Sequence, residues 1–493
     1  MFKNVYSSIF LIFSVAVLMG LIFEEKTRLS AEFSPLLAFG VLWVAVLWLT
    51  MIEGGQASKV GLIPVDLDLY KESHPLAHKS MEIVQKGDNL DRYLMGRQFM
   101  VVLIVFCVNI SGGPIDQEIW GLPDWLKWLM FVFPFGVMTL FTCMIGQLNS
   151  QVNAAHCMLD YINNYFALFT LYVAMFIEWT GLLHASYLVA MLVAKISGKP
   201  IQSNEPPKTG TTLVFFWLRG LYSVAILGFS LAVVIKSLFM GRTTMYEGVP
   251  EVVSVILFFV LMSVVGMLEG MQIAFFAVTK IPVAERGAGK FAKMTCELLF
   301  RGEGRNLPGF MIGRQICVVS CMIIVAKVTT VTPTPDGGEN VLGVSDGLQK
   351  FFEFGFQGAL VTTILGSISW QLVASAFPIE FLTIPVTYVL LQICLWLEAT
   401  GLCSGAWVLA GIHKKIANFQ HDEVYIGTAE ERNGKSMPDH DDMNTGVGHI
   451  AKLPAFIEGA PESLQTLVKH DPTVLHYIES IRQMKMDEDA AEP

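Results

Sequence analysis

The chain has 493 residues, a net charge of −10, 53% hydrophobic and only 15% charged residues, and a mean hydropathy of +0.54. That balance belongs to a polytopic membrane protein and not to a soluble domain. With no basic run there is no nucleic-acid partner to expect, and with no nucleophile–base pair or metal cluster there is no enzyme, catalytic residue or cofactor to expect.

Ten apolar stretches, at about 5–23, 35–56, 97–111, 126–148, 163–195, 211–236, 251–279, 312–330, 350–372 and 380–412, are long enough or nearly long enough to cross a bilayer. The first begins after Lys3 like a signal peptide, but Glu24-Glu25-Lys26 follows without a small-residue cleavage pattern, so it reads as a retained helix. Of eight cysteines, all but Cys296 lie in or beside apolar segments and read as buried thiols. Cys317 and Cys321 stand one helical turn apart, but no further Cys/His pair completes a metal site.

A signature occurs twice along these stretches. Glu53-Gly54-Gly55-Gln56 recurs 216 residues later as Glu269-Gly270-Met271-Gln272, and Gly96-Arg97-Gln98 recurs 217 residues later as Gly313-Arg314-Gln315. Asn89-Leu90 matches Asn306-Leu307, and Ile63-Pro64-Val65 matches Ile281-Pro282-Val283. Gly146 and Gln151 match Gly366 and Gln371, and Glu178-Trp179-Thr180-Gly181-Leu182 matches Glu398-Ala399-Thr400-Gly401-Leu402. The expected fold is therefore all-α, with ten transmembrane helices in two five-helix repeats, 1–200 and 201–413, and a hydrophilic tail at 414–493. Because five is odd, the repeats are expected to be inverted. The Lys/Arg of the loops before the two Gly-Arg-Gln copies, Lys59 counted among them, do not fix the orientation. The easily retained tail places both termini in the cytoplasm. Leu464, Leu467, Val468, Val474, Ile478 and Ile481 recur at helical spacing, marking a short helix at 461–484 that would pack on the protein itself or on a partner.

The chemistry follows from the repeated polar groups. Glu53 and Gln56 share a helix face, and Gly54, Gly55 and Gly270 read as helix breaks that line a binding cavity, with Gly96 and Gly313 opening the next run. Arg97 and Arg314 supply forks of donors, Gln98 and Gln315 both donors and acceptors, and each arginine should compensate the glutamate of its half. Glu178 and Glu398 fall inside their apolar stretches. Four repeated glutamates against two arginines leave a surplus that bound cations or protonation must absorb, which points to a cation-coupled carrier. The bland alternative has the mid-stretch glutamates protonated and bonded to Thr180, Thr400 or a carbonyl. His156 and His184 have no counterparts and read as structural; Gln151 and Gln371 are weaker pore-lining candidates. The donor–acceptor set, without aromatic stacking, suits a small, neutral, hydroxyl-rich solute.

The paired motifs, with Glu53-Gly54-Gly55-Gln56-Ala57-Ser58 and Gly87-Asp88-Asn89-Leu90-Asp91-Arg92-Tyr93-Leu94-Met95-Gly96-Arg97-Gln98-Phe99, resemble the signature of the diatom silicic acid transporters over roughly residues 1–415. The resemblance implies ten helices, sodium-coupled uptake of orthosilicic acid and a plasma-membrane location. It carries substrate contact onto Glu53, Gln56, Arg97, Gln98, Glu269, Gln272, Arg314 and Gln315, with Glu178, Thr180, Glu398 and Thr400 left for cation coupling. Family members carry a longer coiled-coil tail, whereas here Pro472 interrupts a brief one. Two other classes fit the residues: a passive channel for silicic or boric acid, and a transporter-like sensor signalling through its tail. A homo-oligomer or a tail-bound partner is compatible with either.

Overall fold

The computed structural model describes residues 2–115, 119–132, 136–198, 205–206, 208–245, 248–279, 289–301, 306–335 and 338–427. The second copy of Ile-Pro-Val at 281–283 and the expected tail helix at 461–484 lie outside them.

In the first half the helices are α1 (Phe2–Phe23), α2 (Pro35–Leu62), α3 (Pro75–Val84), α4 (Asn89–Gly112), α5 (137–154), α6 (Tyr165–Trp179) and α7 (Ala185–Ser197). The second half has α8 (Gly210–Phe239), α9 (Glu251–Thr279), α10 (Lys290–Leu299), α11 (Asn306–Thr329), α12 (Phe356–Ala376), α13 (Pro385–Thr400) and α14 (Gly405–Ala417). Local chemistry sets several ends. Ser34 accepts from the Leu37 N–H ahead of Pro35 at the start of α2, and Asn164 accepts from the Ala167 N–H at the start of α6. The short amphipathic helices α3 and α10 occupy what the sequence reads as loops.

The packing is itself duplicated. α2 packs on α4 as α9 packs on α11; α4 packs on α6 as α11 packs on α13; and α7 lies against α12 as α14 lies against α5. Even the corners repeat: Thr27 bridges Pro114, and Thr243 bridges Val331. Between the halves α4 packs on α11. These are the central helices, since 72% of the most apolar window of each is buried, against 33% for α1, α2 and α8. The outer helices present Phe, Leu and Val side chains, such as Phe13, Leu47 and Leu218, to their surroundings, as a lipid-facing surface requires.

Among the described residues, eight of the expected ten helices (nine if the bent pair α13–α14 is one span) are long and apolar enough to cross a membrane. They are α1, α2, α4 and the span ending in α5, followed by α8, α9, α11 and α12. The fifth stretch of each half is divided instead. α13 and α14 meet at a bend of 70°, and α6 and α7 are separated by residues 180–184. At these breaks Gly181 and Gly401 take φ of +84° and +74°, values open to glycine.

The ends of the first divided stretch return to the same place. Asn163 accepts from the N–H groups of Leu76 and Ala77 in α3 at 3.0 and 3.3 Å. Beyond α7, Glu205 pairs with Arg92 at the start of α4 at 2.8 Å. One anchor is on α3 and the other on the first turn of α4.

The expected inversion of the halves finds no support among the described residues, because corresponding ends of the two halves lie together. α8 follows Glu205 beside the start of α4, and it ends where Leu238 and Gly241 share a cavity with Asn109 and Gly113 at the end of α4. α1 also finishes there, through the Lys26 carbonyl accepting from the Ile115 N–H at 3.0 Å. The two equivalent corners meet directly, with Arg28 Nη2 donating to the Val331 carbonyl at 3.2 Å. An apolar run of thirty-odd residues looks the same in sequence whether it forms one helix or two.

Candidate functional site: twin buried Glu–Arg–Gln clusters

α2 runs unbroken through Gly54-Gly55, α9 through Gly270, and α4 and α11 through Gly96 and Gly313. None of these glycines is a helix break; Gly54, Gly96, Gly270 and Gly313 are close approaches. A Cβ on Gly54 would enter the ring of Tyr161, and one on Gly270 the matching ring of Phe381. At Gly96 and Gly313 it would enter the backbone carbonyls of Ala174 in α6 and Cys394 in α13. Backbone contact with α6 and α13 fixes the depth at which Arg97 and Arg314 sit, because small residues let helices approach.

The first cluster draws on three helices. Arg97 Nη2 of α4 pairs with Glu53 Oε2 of α2 at 2.9 Å. The Arg97 Nη1 donates to Gln98 Oε1 at 2.6 Å. From α5, Gln151 Nε2 donates to Glu53 Oε2 at 3.0 Å and Gln147 Nε2 to Oε1 at 3.4 Å. Glu53 and Arg97 are each 3% exposed.

The second cluster repeats the plan. Arg314 Nη1 pairs with Glu269 Oε1 at 3.1 Å, and Nη2 donates to Gln315 Oε1 at 2.5 Å. Gln371 Nε2 reaches Glu269 Oε2 at 2.8 Å. At the place of Gln147 stands Ser367, to which Gln371 also points at 3.5 Å. Both arginines keep a buried Nε with no hydrogen-bond partner. A buried donor without a partner has lost its hydration uncompensated.

Gln147 lies in a π turn at Thr142–Leu148 of α5, and Gln151 and Gln371 stand three residues past the π turns at Thr142–Leu148 in α5 and Ile364–Ile368 in α12. Such a turn widens the helix and frees carbonyls, and it is common at functional sites. In α12 the carbonyls of Ile364 and Leu365 accept from Ser369 Oγ at 2.7 Å and Trp370 Nε1 at 2.9 Å.

The structure brings together Glu53, Arg97 and Gln98, and likewise Glu269, Arg314 and Gln315. Gln56 and Gln272 lie on the same helices, but among the described residues they do not hydrogen-bond to the ion pairs. Glu178 and Glu398 are elsewhere, at the breaks in the divided stretches. Glu178 is buried beside Arg219 and Arg92, and its carboxylate lies 3.8 Å from His184 Nε2. Glu398 is half-buried. Thr180 and Thr400 donate to the Ile177 and Leu397 carbonyls at 2.7 and 2.6 Å and accept from the N–H groups of Leu182 and Leu402, so each spans its break and bonds no glutamate.

Sequence reasoning missed Gln147, whose counterpart is a serine, and it took Lys59 for a loop residue. Lys59 lies inside α2 with 1% exposure. Among the described residues no cluster of His, Cys, Asp or Glu could hold a metal. Cys143 and Cys403, from different halves, approach to 3.9 Å between sulfurs.

A cavity of about 930 Å³ lies between the halves at the far ends of α4, α8 and α11, lined by Arg28, Asn109, Thr244, Lys327 and Thr330 among others. None of the cluster residues lines it.

An apolar bundle of eight long helices in two equivalent halves, each with a buried ion pair ringed by amides, is the build of a multi-pass membrane transporter. The family model described as "Silicon transporter" matches residues 1–490, and the chain belongs to that family. No curated protein and no solved structure matches the chain. Silicic acid is the substrate that family membership implies.

Proposed function

We propose that the protein is a sodium-coupled secondary transporter that takes up orthosilicic acid across the plasma membrane by alternating access. The observation that carries this reading is the pair of buried Glu–Arg–Gln clusters flanking the α4–α11 contact. Orthosilicic acid is small, tetrahedral and mostly uncharged near neutral pH, and each of its four hydroxyls both donates and accepts. Guanidinium and amide N–H groups with a carboxylate satisfy such a solute from several sides. A neutral solute gains nothing from the membrane potential, so accumulation needs an ion that does.

Two equivalent halves, 1–200 and 201–413, suit a motion in which one half rocks against the other about the α4–α11 contact. The cavity at the far ends of those helices would be the entry on one side. The connection between α2 and α4 and the segment at 418–425 would face the cytoplasm. Gln56 and Gln272 would join the substrate contacts when the halves move. Glu178 and Glu398, at the broken stretches, would respond to that motion or to the cation.

The test is uptake of silicic acid, or germanic acid as its analogue, into liposomes holding the purified protein, with and without an inward sodium gradient. Uphill accumulation that collapses without the gradient is the expected result. Equilibration at one rate regardless of sodium means a passive channel and ends this reading.

A further inference from the structure

The end of the second half is fastened onto the first. α14 lies against α5, and the chain after it, at 418–425, meets the short helix Met158–Ile162 that follows α5. Asp422 accepts from the N–H groups of Met158 and Leu159 at 2.8 and 2.9 Å, and its own N–H donates to the His156 carbonyl at 3.1 Å. Asp160 accepts from the Gln420 N–H at 2.6 Å and from the Tyr425 hydroxyl at 3.4 Å, while His74 Nε2, just before α3, lies 3.0 Å from it. Inside α14, His413 Nδ1 meets Asn149 Oδ1 at 3.3 Å.

What this segment holds reaches the first cluster. Tyr161 is 3% exposed, and its ring packs on those of Phe419 and His413 with centroids 5.7 and 6.4 Å apart. Its hydroxyl donates to the Thr50 carbonyl of α2 at 2.7 Å, and its ring occupies the space that Gly54 leaves free. Thr50 and Gly54 stand on either side of Glu53 in that helix. Gln151, which donates to Glu53, belongs to the last turns of α5 directly before His156.

The second half has the ring without this fastening. Phe381 takes the place of Tyr161 against Gly270 and has no hydroxyl to bond α9. The fastened end is the one where α4 begins, whereas the cavity between the halves lies where α4 and α11 end. If the halves rock about the α4–α11 contact, opening on the fastened side must part 413–425 from 149–162. Bonds to a charged acceptor are the stronger kind, so Asp422 and Asp160 set how readily that happens.

We propose that Tyr161 is the cytoplasmic gate of the first cluster and that the segment 418–425 is its lock, so that silicic acid leaves for the cytoplasm only after Asp422 and Asp160 release the segment. Tyr161 is a positioning residue here: it bears on the cluster through α2. This rests on the alternating-access reading given above.

Cys157 is a native reporter, since it adjoins Met158 and is 1% exposed. The experiment follows its alkylation by N-ethylmaleimide, read by mass spectrometry of its own peptide, alongside uptake of silicic acid in liposomes. In the unmodified protein alkylation should speed up during sodium-driven uptake, because the lock opens in each cycle. Asp422→Ala should speed it at least tenfold without substrate, as loss of bonds to a charged acceptor implies. The same variant should raise the KM for silicic acid at least threefold with kcat kept, because the state open toward the cavity becomes less populated. If Asp422→Ala gives no monodisperse protein, Tyr161→Phe, which copies Phe381, should show both changes. Uptake by the unmodified protein with no change at Cys157 overturns the proposal. So does faster alkylation in a variant whose KM is unaltered, since that is the mark of a structural strut. Sodium-independent equilibration by the unmodified protein would instead end the underlying reading, so the two failures are distinct.

Discussion

Replacing Glu53 by glutamine keeps the shape of the side chain and removes its charge. The Arg97 guanidinium, 3% exposed, then loses its carboxylate at 2.9 Å and retains the amide oxygen of Gln98 as its close acceptor. Removing one partner of a buried ion pair costs about 3–5 kcal/mol, and because glutamine still offers an oxygen the lower end applies, about 3 kcal/mol. That is a factor of roughly 150 in an equilibrium constant. Glu53→Gln should therefore melt at a clearly lower temperature in detergent and take up no germanic acid in liposomes. The double variant Glu53→Gln/Arg97→Met buries no unpaired charge and should recover most of the lost stability, since apolar replacement of a buried pair is often neutral. It should still fail to transport. Wild-type uptake by either variant refutes the assignment, and uptake restored together with stability in the double variant would show the pair to be a structural strut.

Gly96→Ala and Gly313→Ala each drive a methyl into a backbone carbonyl of the neighbouring helix; both should lose about 1–3 kcal/mol of stability, read as thermal melting. Gln371→Leu removes the amide donor to Glu269 at 2.8 Å and should cut uptake at least tenfold, whereas the outward-facing Leu47→Ala should leave it unchanged. Asp422 caps the N–H groups of Met158 and Leu159 at 2.8 and 2.9 Å, so Asp422→Ala should speed amide hydrogen exchange at 157–162 and at 418–425. Truncation after Gly427 should leave uptake intact; its loss would favour the tail-dependent sensor.

What could be read from sequence was whatever the duplication marked. Glu53 with Arg97, and Glu269 with Arg314, stood out because each pair recurs at one displacement, and the structure places both pairs in contact. The role of the motif glycines did not follow, because a glycine that admits a neighbour's ring reads like one that ends a helix. Only the rings of Tyr161 and Phe381, remote in sequence, tell the two apart. Gln147 and Lys59 were hidden for the opposite reason: their counterparts are Ser367 and Phe275, so a search for repeats passes over them. The division of 163–195 into two helices was illegible because the break rests on Gly181 at a φ of +84°, a conformation the sequence does not announce.

The meeting of corresponding corners, Arg28 on Val331, bears on how such a chain could evolve. A symmetric dimer of one subunit is bound to carry identical side chains at both of its sites. Duplication within one chain lifts that constraint, and Lys59 opposite Phe275 is a difference that a dimer of identical subunits could not hold.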